Sequence, residues 1–172
     1  WIGEIDKKLS AQLTEVMHAP EFQKLEGTWR GLHYLVHNSE TGDEMQIRVL
    51  NATKRELFKD LESASEFDQS KLFKKVYEAE YGQFGGEPFG CMVGDYHFDH
   101  TAPDVELLGE MAQVAAAAHM PFIAGASPTT MQMSTWQELA NPRDLTKIFT
   151  TPEYAAWRSL RESEDSKYIG LA

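Results

Sequence analysis

Val114-Ala115-Ala116-Ala117-Ala118-His119-Met120-Pro121-Phe122-Ile123-Ala124 is the stretch whose reading decides the fold. Four alanines bring a helix to its last turns with side chains small enough to let another backbone approach closely. His119 stands where a cation favours the negative end of the helix dipole. Pro121 cannot continue the helix, and Phe122-Ile123-Ala124 opens an apolar strand. A helix that stops sharply and feeds a strand points to helices layered on a sheet.

Working outward toward the N-terminus, Asp104 is expected to cap the helix that carries Val105, Leu108, Met111, Val114 and Ala115. Phe89 to Tyr96 reads as the preceding strand. Before it lies the glycine-rich loop Tyr81-Gly82-Gln83-Phe84-Gly85-Gly86-Glu87-Pro88, and before that a helix opened by Ser70, with Leu72, Phe73, Val76 and Tyr77 inside. Thr53 with Glu56 three residues on is a capping-box pattern for a helix through about Leu61. Met45, Ile47 and Val49 alternate with polar residues and predict a half-buried strand. Toward the C-terminus, Ser127 to Ser134 is a loop, followed by short helices around Trp136 to Ala140 and Arg143 to Phe149. A helix starting at Pro152 runs through Trp157 to Arg161, and Tyr168 to Ala172 is a last strand. Strands separated by helices of this length predict an α/β fold, a layered mixed sheet flanked by helices.

Two amphipathic helices lead the chain. Ile2, Ile5, Leu9, Leu13 and Val16 recur at spacings of three and four on the first. Phe22, Leu25, Trp29, Leu32, Leu35 and Val36 mark one face of the second, which restarts at Ala19-Pro20. On this reading, that face is buried and Trp29 is a core residue. Residues 1–40 are thus expected to be an N-terminal helical segment, and 41–172 an α/β domain truncated at its C-terminus. The first residue is Trp, no capping residue precedes the first helix, and the last strand runs to the final residue, so both ends are expected to be cut through structure.

Composition narrows the function. The chain has 172 residues, 42% hydrophobic and 25% charged, as in an ordinary globular domain. Its 16 basic and 27 acidic residues give a net charge of -11, which argues against a nucleic-acid groove and an anionic membrane surface. No apolar run approaches the ~20 residues of a spanning helix. Cys91 is the single cysteine and cannot form an internal disulfide. These features point to the cytoplasm, with no membrane insertion.

Candidate chemistry is thin. His97, Asp99 and His100 offer two imidazoles and a carboxylate, donors that suit zinc. A hydrolase built on them would need further ligands, and in sequence only His119 is near, so a polar loop is the better reading. The glycines from Gly82 to Gly90 match neither nucleotide-binding fingerprint, and the charge around them is acidic; a loop needing positive φ angles explains them. Cys91 lacks a partner base and reads as a small core residue. Ser127 lacks the flanking glycines of a nucleophile elbow and reads as a turn residue. His18, His33 and His37 read as surface or boundary positions; His33 and His37, one turn apart, form at most an isolated pair. Met131 and Met133 are adaptable apolar residues that pack, or dock a neighbour in an assembly. No catalytic, cofactor-binding or metal-ligating residue is therefore assigned.

Several long segments, in order, carry a family resemblance. They are Phe22 to Leu32, Leu72 to Gly82 with Gly85-Gly86-Glu87-Pro88, and Gly94-Asp95-Tyr96. Asp104 to Leu108 follows, then the alanine run with Pro121-Phe122-Ile123, Arg143-Asp144-Leu145, and Trp157 through Leu171. Together they resemble the large contractile-sheath subunit of bacterial type VI secretion systems, the TssC/VipB family, over nearly the whole chain. Lys167 stands where the family pattern has Arg, and that pattern does not require His97 or His100. The resemblance implies a non-enzymatic, cytoplasmic structural protein without cofactor, similar to the N-terminal half of longer members. It implies pairing with a small sheath subunit (TssB/VipA-like) and stacking with further copies around an inner tube protein. Contraction would drive that tube into a target cell, and an ATP-dependent unfoldase would recycle the sheath. The competing readings are a small cytosolic metal-dependent hydrolase using His97, Asp99 and His100, and a standalone adaptor binding peptides at an open sheet edge.

Overall fold

The computed structural model describes residues 1–141 and 144–172. Arg143, where the sequence places the start of a short helix, lies outside the described residues. The chain divides into two units, Trp1–Asn51 and Ala52–Ala172.

The first unit holds two helices, α1 (Ile2–Met17) and α2 (Pro20–His37). Pro20 sits in the first turn of α2, where its missing N–H costs nothing. Neither helix buries a single side chain. The expected burial of the α2 face is therefore overturned: Trp29 is 61% exposed, and Phe22, Leu25, Leu35 and Val36 are exposed with it. Periodicity identifies which face is apolar; it does not supply the surface that covers it. The strand expected at Met45 to Val49 does not form either. Residues 45–50 belong to no ladder, and Met45, Val49 and Leu50 are exposed. Alternation alone makes no strand without a neighbour to pair with.

The second unit begins at α3 (Lys54–Glu62). Thr53 accepts from the Glu56 amide, and the Glu56 carboxylate accepts from the Thr53 amide at 2.8 Å, the predicted capping box. Ser70 caps the next helix through the Phe73 amide at 3.1 Å. Only Lys71–Phe73 (α4) is α-helical; Lys74–Tyr81 continues as a π-helix. Phe73 stacks on Tyr77 with centroids 4.8 Å apart, and Tyr81 follows at 5.2 Å from Tyr77, tilted by 30°.

Strand β1 (Met92–Phe98) follows, then α5 (Ala102–Ala117) and β2 (Phe122–Ala126). Thr101, not Asp104, occupies the position before α5; Asp104 lies in its first turn. The stop after α5 is a Schellman motif. His119 adopts φ 52°, its amide bonds the Ala116 carbonyl at 3.2 Å, and the Met120 amide bonds the Ala115 carbonyl at 2.9 Å. The predicted sharp turn is thus made by His119 in the left-handed region, before Pro121 comes into play. After β2, the 3-10 turn Pro128–Met131 leads through further short turns to α6 (Ala155–Glu162) and β3 (Ile169–Leu171).

The α/β class holds, with a helical N-terminus. Within it the sheet expected to be mixed has order β1-β2-β3 and is parallel in both pairings. Met92, Val93 and Gly94 pair with Phe122, Ile123 and Ala124, which pair in turn with Ile169, Gly170 and Leu171. A bulge at Asp95-Tyr96 resets the register so that His97 faces Gly125. The core lies on one side of this sheet. Phe98, Phe122 and Ala124 meet Val105, Leu108, Met111, Val114 and Ala115 of α5, with Leu57, Leu61, Leu72, Phe73, Val76, Tyr154 and Trp157 around them.

Candidate functional site

The features that could do work are surfaces. On α1, Ile2, Ile5, Leu9, Leu13 and Val16 form one exposed apolar stripe, with Leu9 and Leu13 57% and 59% accessible. On α2, Leu25, Trp29, Leu35 and Val36 form a second. An uncovered stripe of this length is what an interaction surface looks like in isolation. The glycine loop presents a third apolar feature. Gly85 takes φ 84°, and a Cβ on Gly86 would collide with the Glu80 carbonyl oxygen, so the turn can be built only with glycine there. The Glu87 amide bonds the Glu80 carboxylate at 3.0 Å. The loop so fixed holds Phe84 fully in solvent.

The sheet adds a fourth surface. Inward positions Met92, Gly94, Tyr96 and Phe98 alternate with outward Val93, Asp95 and His97. Val93, 68% exposed, pairs with Ile123, 40% exposed, which pairs with Gly170. Cys91, expected in the core, is exposed. It shares the parity of Val93 and precedes the strand, so it falls on the outward side.

The histidine cluster disperses. His97 is exposed, with its ring beside Gly125, where an added Cβ would lie 3.0 Å from Cδ2. Asp99 accepts from the Thr101 amide at 2.8 Å. Burial acts to raise its carboxyl, but bonds from the Thr101 hydroxyl and amide, with the charges of His100 and Lys54, outweigh this and hold it below the usual carboxylate range. His100 turns the other way. It stacks on Tyr154 with centroids 4.3 Å apart, sets Nε2 3.2 Å from Glu153 Oε1, and leaves Nδ1 buried with no hydrogen-bond partner among the described residues. Among the described residues, no three His, Cys, Asp or Glu side chains are grouped to hold a metal. His119 also faces elsewhere, with Nδ1 3.2 Å from the Tyr168 hydroxyl.

What the loop around Asp99 does is mechanical. Lys54 Nζ bonds the Asp104 carboxylate at 2.6 Å and the His97 carbonyl at 2.9 Å, and lies 4.4 Å above the Phe98 ring. Asp104 also accepts from the Asp99 amide at 2.9 Å. One ion pair thereby ties α3, the end of β1 and the start of α5. The Tyr96 hydroxyl donates to the Ala52 carbonyl, and burial, then Asp95 and Glu56, push that phenol upward.

The other polar and sulfur-bearing candidates have local roles. Ser127 accepts from the Thr129 amide and its own amide bonds the Phe98 carbonyl, latching the loop after β2 to β1. Met133 is buried and Met131 partly so. His18 caps α1 through Thr14, and His33 and His37 stack on each other at 3.8 Å. No helix among the described residues is long and apolar enough to cross a membrane.

The described residues thus present a parallel sheet with one face covered, a helical pair with exposed apolar stripes, and no grouped set of three metal-ligating side chains. The chain belongs to the VipB family: the family described as EvpB/VC_A0108, tail sheath N-terminal domain, matches residues 1–172. It is 66% identical over 172 residues to a protein of Pseudomonas aeruginosa named type VI secretion system sheath protein TssC1. The match takes in 99% of this chain and 34% of that relative, so the chain spans about a third of its length.

Proposed function

We propose that this chain is the N-terminal part of a structural subunit of a bacterial type VI secretion contractile sheath. It acts in the cytoplasm, without catalysis, cofactor or metal. In this reading residues 1–40 are an assembly segment, and residues 41–172 begin the α/β body of the sheath subunit. The subunit pairs with a small sheath subunit, and the pairs stack with further copies into a cylinder around an inner tube protein. Contraction of the cylinder delivers effectors. The observation that carries this reading is the 66% identity over nearly the whole chain to a protein named as a sheath component. The exposed stripes of α1 and α2 agree with it, since a subunit that exists only in an assembly keeps such faces for its neighbours.

Co-expression with a small sheath subunit tests the proposal, followed by affinity purification and electron microscopy. The expected result is co-purification of the two chains, and tubular particles when the longer polypeptide is used. Failure of the longer polypeptide to pair would sink it. The hydrolase reading makes a different forecast: near one zinc per chain, lost when His97 and His100 are both replaced by Ala. Scattering of His97, Asp99 and His100 toward Gly125, Thr101 and Glu153 speaks against that outcome.

A further inference from the structure

A parallel sheet is ordinarily covered on both faces, because its backbone and both rows of side chains belong to the interior. Here one face is covered and one is bare. The reason is topological. The chain passes from β1 through α5 to β2, and from β2 through α6 to β3, always one strand further in the same direction. Right-handed crossovers in one direction place every connecting helix on the same face. Met111, Val114 and Trp157 accordingly join Phe98 and Phe122 in one core, and the opposite row, Val93–Ile123–Gly170, is left open. A helix reaches the open face by a right-handed route only if the chain reverses direction after β3 and returns toward β1, as in a doubly wound sheet.

We propose that the Val93–Ile123–Gly170 face is the seat of a helix from the polypeptide that follows this stretch in the sheath relative, packed there intramolecularly as the chain returns toward β1. The relative is about three times as long as this chain, which leaves ample polypeptide for that return. The face offers a helix Val93 and Ile123 as two apolar contacts side by side, with Gly170 adding no bulk beside them and the His97 ring, set beside Gly125, bounding the row at one end. The proposal rests on the family assignment, and its failure would leave the sheath reading intact.

Cysteine accessibility tests it in the longer polypeptide, this chain joined to the part that follows it in the Pseudomonas relative, with Cys91→Ser and any other cysteines removed. Val93→Cys and Ile123→Cys are compared with Lys59→Cys, an exposed position on α3, for their rate of maleimide modification in dilute, unpartnered protein. Protection of positions 93 and 123 by tenfold or more relative to position 59, independent of concentration and lost in urea, is the expected result. Modification at the control rate would overturn the proposal. So would protection that grows with protein concentration, which would assign the face to a second copy. Protection that arises only on adding the small sheath subunit would assign the face to that partner and overturn the proposal as well.

Discussion

Single positions show how a few atoms fix the second unit. Gly86 is the plainest case. A methyl group there would run into the Glu80 carbonyl oxygen and stand 2.8 Å from its carbon, both backbone atoms that cannot swing aside. Gly86→Ala is expected to cost about 1–3 kcal/mol, the usual range for forced overpacking, and thermal unfolding should report it. A melting temperature equal to the parent's would show that the loop yields freely. Lys54 and Asp104 offer a graded comparison. Lys54→Met removes the ammonium that lies over Phe98 and should cost about 1–3 kcal/mol, because Asp104 then loses a charged donor. Asp104→Ala should cost more, since it takes the acceptor from the Asp99 amide and the counter-charge from the Lys54 ammonium, which keeps only the His97 carbonyl and the Phe98 ring. The reverse order would refute the idea that Asp104 is the hub. At this scale the sequence was legible in part. The glycine loop asked for positive φ, and Gly85 has it. Cys91 misled, because an apolar neighbourhood in sequence does not reveal strand parity; once Phe98 and Met92 are known to point inward, Cys91, Val93 and His97 must point out.

Elements were legible wherever their signals are local. Thr53 with Glu56, Ser70 and the Ala-His-Met-Pro stop each announce a boundary by hydrogen bonds within a few residues, and each boundary stands close to where it was expected. What depends on a distant neighbour was not legible: the strand at Met45 to Val49 needs a partner, and the α2 face needs a cover. Trp29→Ala is therefore expected to change the stability of this chain by no more than about 0.5 kcal/mol, as for other surface substitutions, not the several kcal/mol of a buried Trp. A drop of several degrees in the melting temperature would restore the core reading. The α3 cap carries a pH prediction. The Thr53 amide and then its hydroxyl bond the Glu56 carboxylate and hold its pKa below the ordinary value. A carboxyl depressed in the folded state contributes stability above its unfolded pKa and loses it as pH falls through the lower, folded one. The protection factors of the amides at the start of α3, exchange rates taken relative to the intrinsic rate at each pH, should thus fall below about pH 4.5, and Glu56→Gln should remove that step. An acid response unchanged by Glu56→Gln would assign it to other carboxylates.

For the whole molecule, the proposals give different occupants to two of the exposed surfaces, the α1 stripe of one unit and the open sheet face of the other, and that division can be tested in one experiment. The α1 stripe lies on a helix that buries nothing, so charge placed there removes no packing. Leu9→Asp with Leu13→Asp is expected to leave the cooperative unfolding of the Ala52–Ala172 unit unchanged while abolishing co-purification with the small sheath subunit. The Val93–Ile123 row belongs to the sheet itself, and a helix seated on it from the same chain would be part of the fold. Val93→Lys with Ile123→Lys is then expected to be nearly silent in this chain, where both positions already face solvent. In the longer polypeptide the same pair would put two ammonium groups under a packed helix, where unpaired charge is costly. There it should lower the melting temperature or drive the protein into aggregates before any pairing is attempted. The two double variants thus separate by order of failure: one folds and does not pair, the other does not fold. If both behaved alike in the longer polypeptide, as folded proteins deficient only in pairing, the sheet face would be a partner surface and the return of the chain over it would be wrong.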